Sequence, residues 1–192
     1  MIAHLPVALF GLVLMGGGSR RMGYDKALLK YHQEQQWQHC FSLLKNECEE
    51  VFFSCKQQPN FIAELCILDE PGDSFGPVTG IISAMKAYPS VAWLVLAIDM
   101  PLLDAGVLRK LVQARDQTQQ ATLLVGPTGK CEPLCAIYEP AILPLLSDLK
   151  AQGPRFILEN CALVKRVILA KSDFLQKVKT AKERKDFFVA QT

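Results

Sequence analysis

The chain has 192 residues, half of them apolar and 21% charged, with a formal net charge of +2. That length suits one domain with a full α/β core and leaves no room for a second large one, so residues 1–192 are expected to form a single unit. No apolar run approaches a membrane span and Met1–Pro6 has no basic leader segment, so a cytoplasmic protein without a membrane partner is expected. The net charge argues neither for nor against nucleic acid, which is not expected among the partners. The seven cysteines are odd in number and lack a C-x-x-C pair, which reads as reduced thiols packed as small hydrophobes.

In chain order, residues 8–14 are short, continuous and apolar, the pattern of a strand buried on both faces of a parallel sheet. Gly16-Gly17-Gly18-Ser19-Arg20-Arg21-Met22-Gly23-Tyr24-Asp25-Lys26 follows at once, so flexible backbone and three cations stand at the carboxyl end of a strand, where open α/β sheets bind ligands. Glycines there let backbone N–H groups approach phosphate oxygens. Spacing excludes two better-known phosphate loops, because Tyr24 stands where a P-loop needs Lys and Arg21 where a dinucleotide fingerprint needs its third Gly.

Helical periodicity through Trp37, Phe41, Leu44 and Cys48 predicts a helix over 34–47. Short strands are predicted at 51–55 and 66–68, then a second glycine- and acid-rich connection from Asp69 to Gly80, a helix over 80–88 and a buried strand over 92–98. That strand ends in Asp99-Met100-Pro101. A carboxylate at a central strand tip among phosphates is tolerable mainly when Mg²⁺ bridges them, whereas Asp99 as a simple turn former is the plain alternative. Asp104 is an N-cap for a helix to about 117. Strands at 121–126, 133–138 and 163–169 and helices from Pro140 and near Pro154 complete an α/β pattern with a mostly parallel sheet flanked by helices. Cys131 and Cys135, four apart on a strand, are expected on one face. The C-terminal segment, about 171–192, is basic: from 165 onward there are eight Lys/Arg against three Asp/Glu.

The loop pattern L-x-G-G-x-S-x-R-M-G-x-D-K-x-L, carried by Leu14, Gly16, Gly17, Ser19, Arg21, Met22, Gly23, Asp25, Lys26 and Leu28, resembles the signature of the molybdenum cofactor guanylyltransferases. Met15 departs from it, standing where the family usually has Ala. The Asp25-Lys26 pair favours this family over related cytidylyltransferases, which more often carry Pro before the Lys. The resemblance implies a Rossmann-like nucleotidyltransferase fold. It implies catalytic roles for Arg21, Lys26 and Asp99, with Mg²⁺ on Asp99. Nucleotide contacts are implied for Leu14, Met15, Gly16, Gly17, Ser19, Lys26, Ser54, Asp69, Gly76 and Asp99; Ser54 stands where the family often has a purine-contacting Asn.

The segments Glu132-Pro133-Leu134 and Gly153-Pro154-Arg155 resemble the acceptor side, implying acceptor contacts from Glu132, Pro133 and Arg155. Arg155 as a solvated helix-start residue is the alternative. The family's closing segment with two Asn is altered here to Phe187-Phe188-Val189-Ala190-Gln191-Thr192. The implied reaction transfers GMP from GTP to the phosphate of molybdenum-bound molybdopterin and releases pyrophosphate, with molybdoenzymes or cofactor-assembly proteins as further partners. The alternatives are cytidylyl transfer to molybdopterin or another phosphorylated small molecule, and non-catalytic nucleotide binding in cofactor assembly.

Overall fold

A computed structural model describes residues 6–15, 26–29, 34–72 and 75–171. Among them, seven strands form one sheet in the order β3-β2-β1-β4-β6-β5-β7. These are β1 (Leu9–Leu14), β2 (Val51–Cys55), β3 (Cys66–Leu68), β4 (Ala92–Ala97), β5 (Ala121–Val125), β6 (Cys131–Tyr138) and β7 (Val164–Ile168). Every neighbouring pair is parallel except those of β6, which runs antiparallel to both β4 and β5. The reversal follows from the tight 126–130 turn, closed by Gly126 N–H donating to the Lys130 carbonyl at 3.0 Å. So short a connection joins antiparallel strands only.

Among the described residues five α-helices cover the sheet: α1 (Gln36–Lys45), α2 (Pro77–Ala87), α3 (Ala105–Gln113), α4 (Leu143–Asp148) and α5 (Gly153–Asn160). The alternation of strand side chains divides the core. Leu9 and Val13 point to the layer holding Leu44, Leu108 and Leu111 of α1 and α3. Leu12 and Leu14 point to the layer holding Ile81, Met85, Leu146 and Ile157 of α2, α4 and α5. Among the described residues no helix is long and apolar enough to cross a membrane.

Several boundaries differ from the sequence expectation for physical reasons. α1 starts at Gln36 rather than 34, where the Gln35 N–H donates to Gln38 Oε1 at 3.1 Å. α2 starts three residues early because Pro77, with its fixed φ, takes the first helical position. α3 keeps the Asp104 cap, whose carboxylate accepts from Val107 N–H at 2.9 Å, but stops at Gln113, before the Asp116–Thr118 turn. The segment from Pro140 opens as a 3-10 turn before α4.

The cysteine expectation is corrected. β6 begins at Cys131 and bulges: Ala136 faces Leu123 while Glu132 faces Leu124, so three residues of β6 are absorbed against one step of β5. Cys131 therefore packs in the α2/α4/α5 layer and Cys135 in the α1/α3 layer, on opposite faces.

At the amino-terminal end of the sheet Arg115 clamps the fold. Its guanidinium donates to both oxygens of Glu139, at 2.6 and 2.9 Å, and to the Val7 carbonyl at 2.9 Å, joining the end of α3, the end of β6 and the approach to β1. The two side chains are only 11% and 3% exposed. Removing one partner of a buried pair strands a charge, so Arg115→Ala should lower unfolding free energy by about 3–5 kcal/mol in urea titrations. Lys86→Ala, which breaks a largely exposed pair with Glu70, should cost no more than about 1 kcal/mol.

Candidate functional site

The carboxyl ends of β1, β2 and β4 stand at one level. Leu14 is in register with Ser54 on one side and Ala97 on the other. Met15 N–H donates to the Ser54 carbonyl at 3.1 Å and Ile98 N–H to the Leu14 carbonyl at 3.3 Å. The chain leaves β1 toward β2 and reaches β4 on β1's other side, so the crevice above β1 and β4 is the switch point where such sheets take ligands. Leu14, Met15, Ser54 and Asp99 are thereby brought to this crevice. Asp99, half-buried, follows Ile98 directly, and buried Met100 and Leu103 anchor the turn behind it.

Asp99 is close enough to α1 to act on Cys40. Burial pushes the Cys40 thiol up to about 12; the hydrogen bond from Gln36 opposes it, and the smaller influence of the negative charges of Asp99 and Glu34 adds to the push. Cys40 is thus a neutral packing group, not a nucleophile.

On the β3 side an acidic corner is built from two strands and a helix. The Asp69 N–H donates to the Cys55 carbonyl at 2.9 Å, and the Ser54 hydroxyl donates to Asp69 Oδ1 at 2.7 Å. Ser54 is 2% exposed, so its hydroxyl works beneath the surface, holding Asp69. α2 lies directly against this pair through Gly80, where a Cβ would come within 2.0 Å of Ser54 Oγ and 3.2 Å of Asp69 Oδ1. The next residue is strapped to the same helix: Glu70 N–H donates to Ser83 Oγ at 3.1 Å, and Lys86 donates to the Glu70 carboxylate at 2.8 Å. Gly76 turns the chain into α2 at φ 67°, a conformation that suits glycine. Beside it, Phe75 lies under the Lys150 ammonium, 4.9 Å from the ring centroid.

Three strand intervals separate β3 from β4, which puts the acidic corner and Asp99 about 14 Å apart across the top of the sheet. Carboxylates so spaced do not compete for one cation. Among the described residues no cluster of three or more His, Cys, Asp or Glu could hold a metal. A single carboxylate at the strand tip nevertheless fits Mg²⁺, which is commonly held by one or two carboxylates together with substrate phosphates.

The acceptor-side residues lie on and beside β6. Cys135, opposite Leu96, is the last residue of β6 paired with β4; beyond it Pro133 lies in the bulge and Glu132 pairs with Leu124 of β5. Glu132 is 7% exposed and accepts from Leu134 N–H at 3.0 Å; the Pro133 carbonyl accepts from the buried Tyr138 hydroxyl at 2.8 Å. Both residues therefore shape the bulge. Arg155, half-buried in the first turn of α5, lies close enough to Cys131 to draw its thiol downward, against burial and Glu159, which carry that thiol up to about 11. Gly16, Gly17, Ser19 and Arg21, together with Val189 and Gln191, lie outside the described residues, and of Lys26 only the backbone is described.

The sequence reading passed over Ser83 as a site-building residue, and it gave no contact for Gly80. Ser83 carried a signal, being a hydroxyl on the buried face of α2, one turn beyond Thr79. Gly80 carried none beyond its place at the end of the glycine- and acid-rich connection, because the close approach it permits depends on the pairing of β2 with β3.

Residues 11–167 match the MobA-like NTP transferase domain. The chain belongs to this family. It is 37% identical to a molybdenum cofactor biosynthesis bifunctional protein of Synechocystis sp. over 166 residues, covering 82% of this chain but only 48% of that relative. A probable molybdenum cofactor guanylyltransferase of Mycobacterium marinum is 31% identical over 184 residues, covering 91% of this chain and 90% of the relative. The crystal structure of molybdopterin-guanine dinucleotide biosynthesis protein A from Archaeoglobus fulgidus superposes with a TM-score of 0.72 at 22% identity, covering 95% of this chain and 100% of that one, and shares the fold. The fold is thus that of the Rossmann-like nucleotidyltransferases.

The Gly80 contact is open to a direct stability measurement. Gly80→Ala forces a methyl group onto Ser54 and should cost about 1–3 kcal/mol by chemical denaturation. Adding Ser54→Gly removes the obstructing side chain and should recover part of that loss; strict additivity of the two changes would mean that residues 54 and 80 do not meet.

Proposed function

We propose that this nucleotidyltransferase domain, comprising residues 1–192 as one unit, transfers GMP from GTP to the terminal phosphate of molybdopterin and releases pyrophosphate. The observation that carries the reading is that the carboxyl end of β1, the Ser54–Asp69 pair and Asp99 stand at one end of the sheet in a chain of the MobA-like family. Relatives named as molybdenum cofactor guanylyltransferases supply the base and acceptor.

The Asp69 corner suits the base, because a carboxylate fixed by the Ser54 hydroxyl keeps its other oxygen available to the N–H groups of a guanine edge. The loop after Met15 suits the triphosphate, where Arg21 and Lys26 would neutralise charge. Asp99, with phosphate oxygens, would hold Mg²⁺, which when bound draws negative charge from the triphosphate. The acceptor phosphate is already ionised at neutral pH, so one of its oxygens attacks the α-phosphorus while the bond to the bridging α–β oxygen breaks and pyrophosphate leaves. No general base is needed; catalysis rests on alignment and charge neutralisation. Arg155, at the start of α5, would receive the acceptor's phosphate. The product dinucleotide would then pass to molybdoenzymes or cofactor-assembly proteins.

The deciding experiment incubates the protein with molybdopterin, Mg²⁺ and each of the four nucleoside triphosphates and measures pyrophosphate. GTP should be preferred; equal or greater release from CTP would replace guanylyl with cytidylyl transfer, and none from any triphosphate would leave binding without catalysis.

Two variants test the assigned roles. Asp99→Asn should lose Mg²⁺ activation while its metal-independent GTP affinity changes less, and normal activation would make Asp99 a turn former. Lys26→Ala should lower turnover about 10²- to 10³-fold in a folded protein, the usual cost of one preorganised contact.

A further inference from the structure

We propose that Cys55 and Cys66 are an oxidative modification site, a thiol pair that a low-molecular-weight disulfide such as glutathione disulfide converts to a bond between β2 and β3 within the folded chain. Both residues are thiols, and their sulfurs are 3.1 Å apart. Cys66 pairs with Phe53, and Cys55 lies two residues further along β2 on the same face, so the two are diagonal neighbours across a parallel pair. Closing to the ~2.05 Å of a disulfide takes about 1 Å of movement, within reach of side-chain torsions and without a change of register. Other thiols are engaged elsewhere: Cys131 donates to Glu159 and Cys161 to Gln120.

Access sets the order of events. Cys66 is half-buried on the edge strand β3, whereas Cys55 is 3% exposed beneath it. The Cys66 thiolate attacks one sulfur of the small disulfide, whose S–S bond breaks, and the departing thiolate takes up a proton. Cys55 then loses its proton and displaces the second small thiol from the mixed disulfide. Two cysteines are each oxidised by one electron and the small disulfide is reduced to two thiols. Burial pushes the Cys66 thiol up, so the first step should quicken as pH rises.

The bond would enclose the connector that holds the 3-10 segment Asn60–Leu65 and would fix an edge strand only three residues long. It does so next to the site, since Asp69 N–H donates to the Cys55 carbonyl. Tethering a short edge removes conformations from the unfolded chain and should raise thermal stability.

The test uses the full chain carrying Cys48→Ser, because trypsin places Cys48 and Cys55 together in peptide 46–56 and Cys66 in peptide 57–86. The folded protein is held with millimolar glutathione disulfide at pH 8, its remaining thiols are alkylated, and the digest is read by mass spectrometry. The expected product is 46–56 joined to 57–86 with the loss of two hydrogens, and a melting temperature raised by roughly 5–10 °C. Cys55→Ser should stop the reaction at a Cys66–glutathione mixed disulfide. Alkylation of both cysteines in the folded protein, with the cross-link forming only in urea, would overturn the proposal. So would a lasting mixed disulfide on Cys66 beside an alkylated Cys55, or a cross-linked protein that melts lower.

Discussion

The pairing of β1 between β2 and β4 is the constraint on which the rest of the structure depends. Leu14 meets Ser54 and Ala97 in one register, so three connections leave the sheet at the same height. That height is fixed by burial. Leu12, Val13, Leu94 and Val95 have no exposed surface, and a slip of one residue would turn every one of these side chains to the opposite layer. The position of a few polar groups at the strand tips is therefore set by apolar packing well below them.

The two ends of the sheet handle charge differently. At the amino-terminal end Glu139 is sealed, and the Arg115 fork satisfies both of its oxygens. At the carboxyl end Asp69 and Asp99 stay half-buried and within reach of solvent. A buried ion pair holds elements together but has no capacity left for a ligand, whereas a carboxylate held through one oxygen keeps the other for a partner. Ser54 establishes that condition at Asp69, and Gly80 lets α2 close over the pair.

Features that are continuous in the chain were legible in the sequence. The apolar run ending at Leu14 and the run ending in Asp99-Met100-Pro101 announced strands whose tips carry polar chemistry, and the order of strands and helices followed from apolar runs, their periodicity and the turn and cap residues between them. Features made by register were not. Nothing local to Ser54 tells that it faces Asp69, since that contact arises from the pairing of Ser54 with Ile67. The Cys131–Cys135 expectation failed because period-two alternation assumes an unbroken ladder, and Pro133, which has no N–H to donate, lies in the bulge that breaks it.

The spacing of the two acids bears on the proposed reaction. On the proposed reading GTP would bring several negative charges to the end of the sheet that carries Asp69 and Asp99, an arrangement that would be repulsive were both acids beside the phosphates. With about 14 Å between the strand tips, the acids lie beyond the ~8 Å screening length at physiological ionic strength. On the proposed reading the nucleotide lies along this span, its base toward Asp69 and its phosphates toward Asp99. Asp69 then meets the N–H donors of the base, for which negative charge is favourable, and only Asp99 stands among phosphates, where a divalent cation reverses the sign of the interaction. β1, the strand that the cationic loop follows in the sequence, lies beside β4, whereas two strand intervals separate it from β3. On this reading the carboxyl end of one sheet separates base recognition from phosphate chemistry by strand order alone.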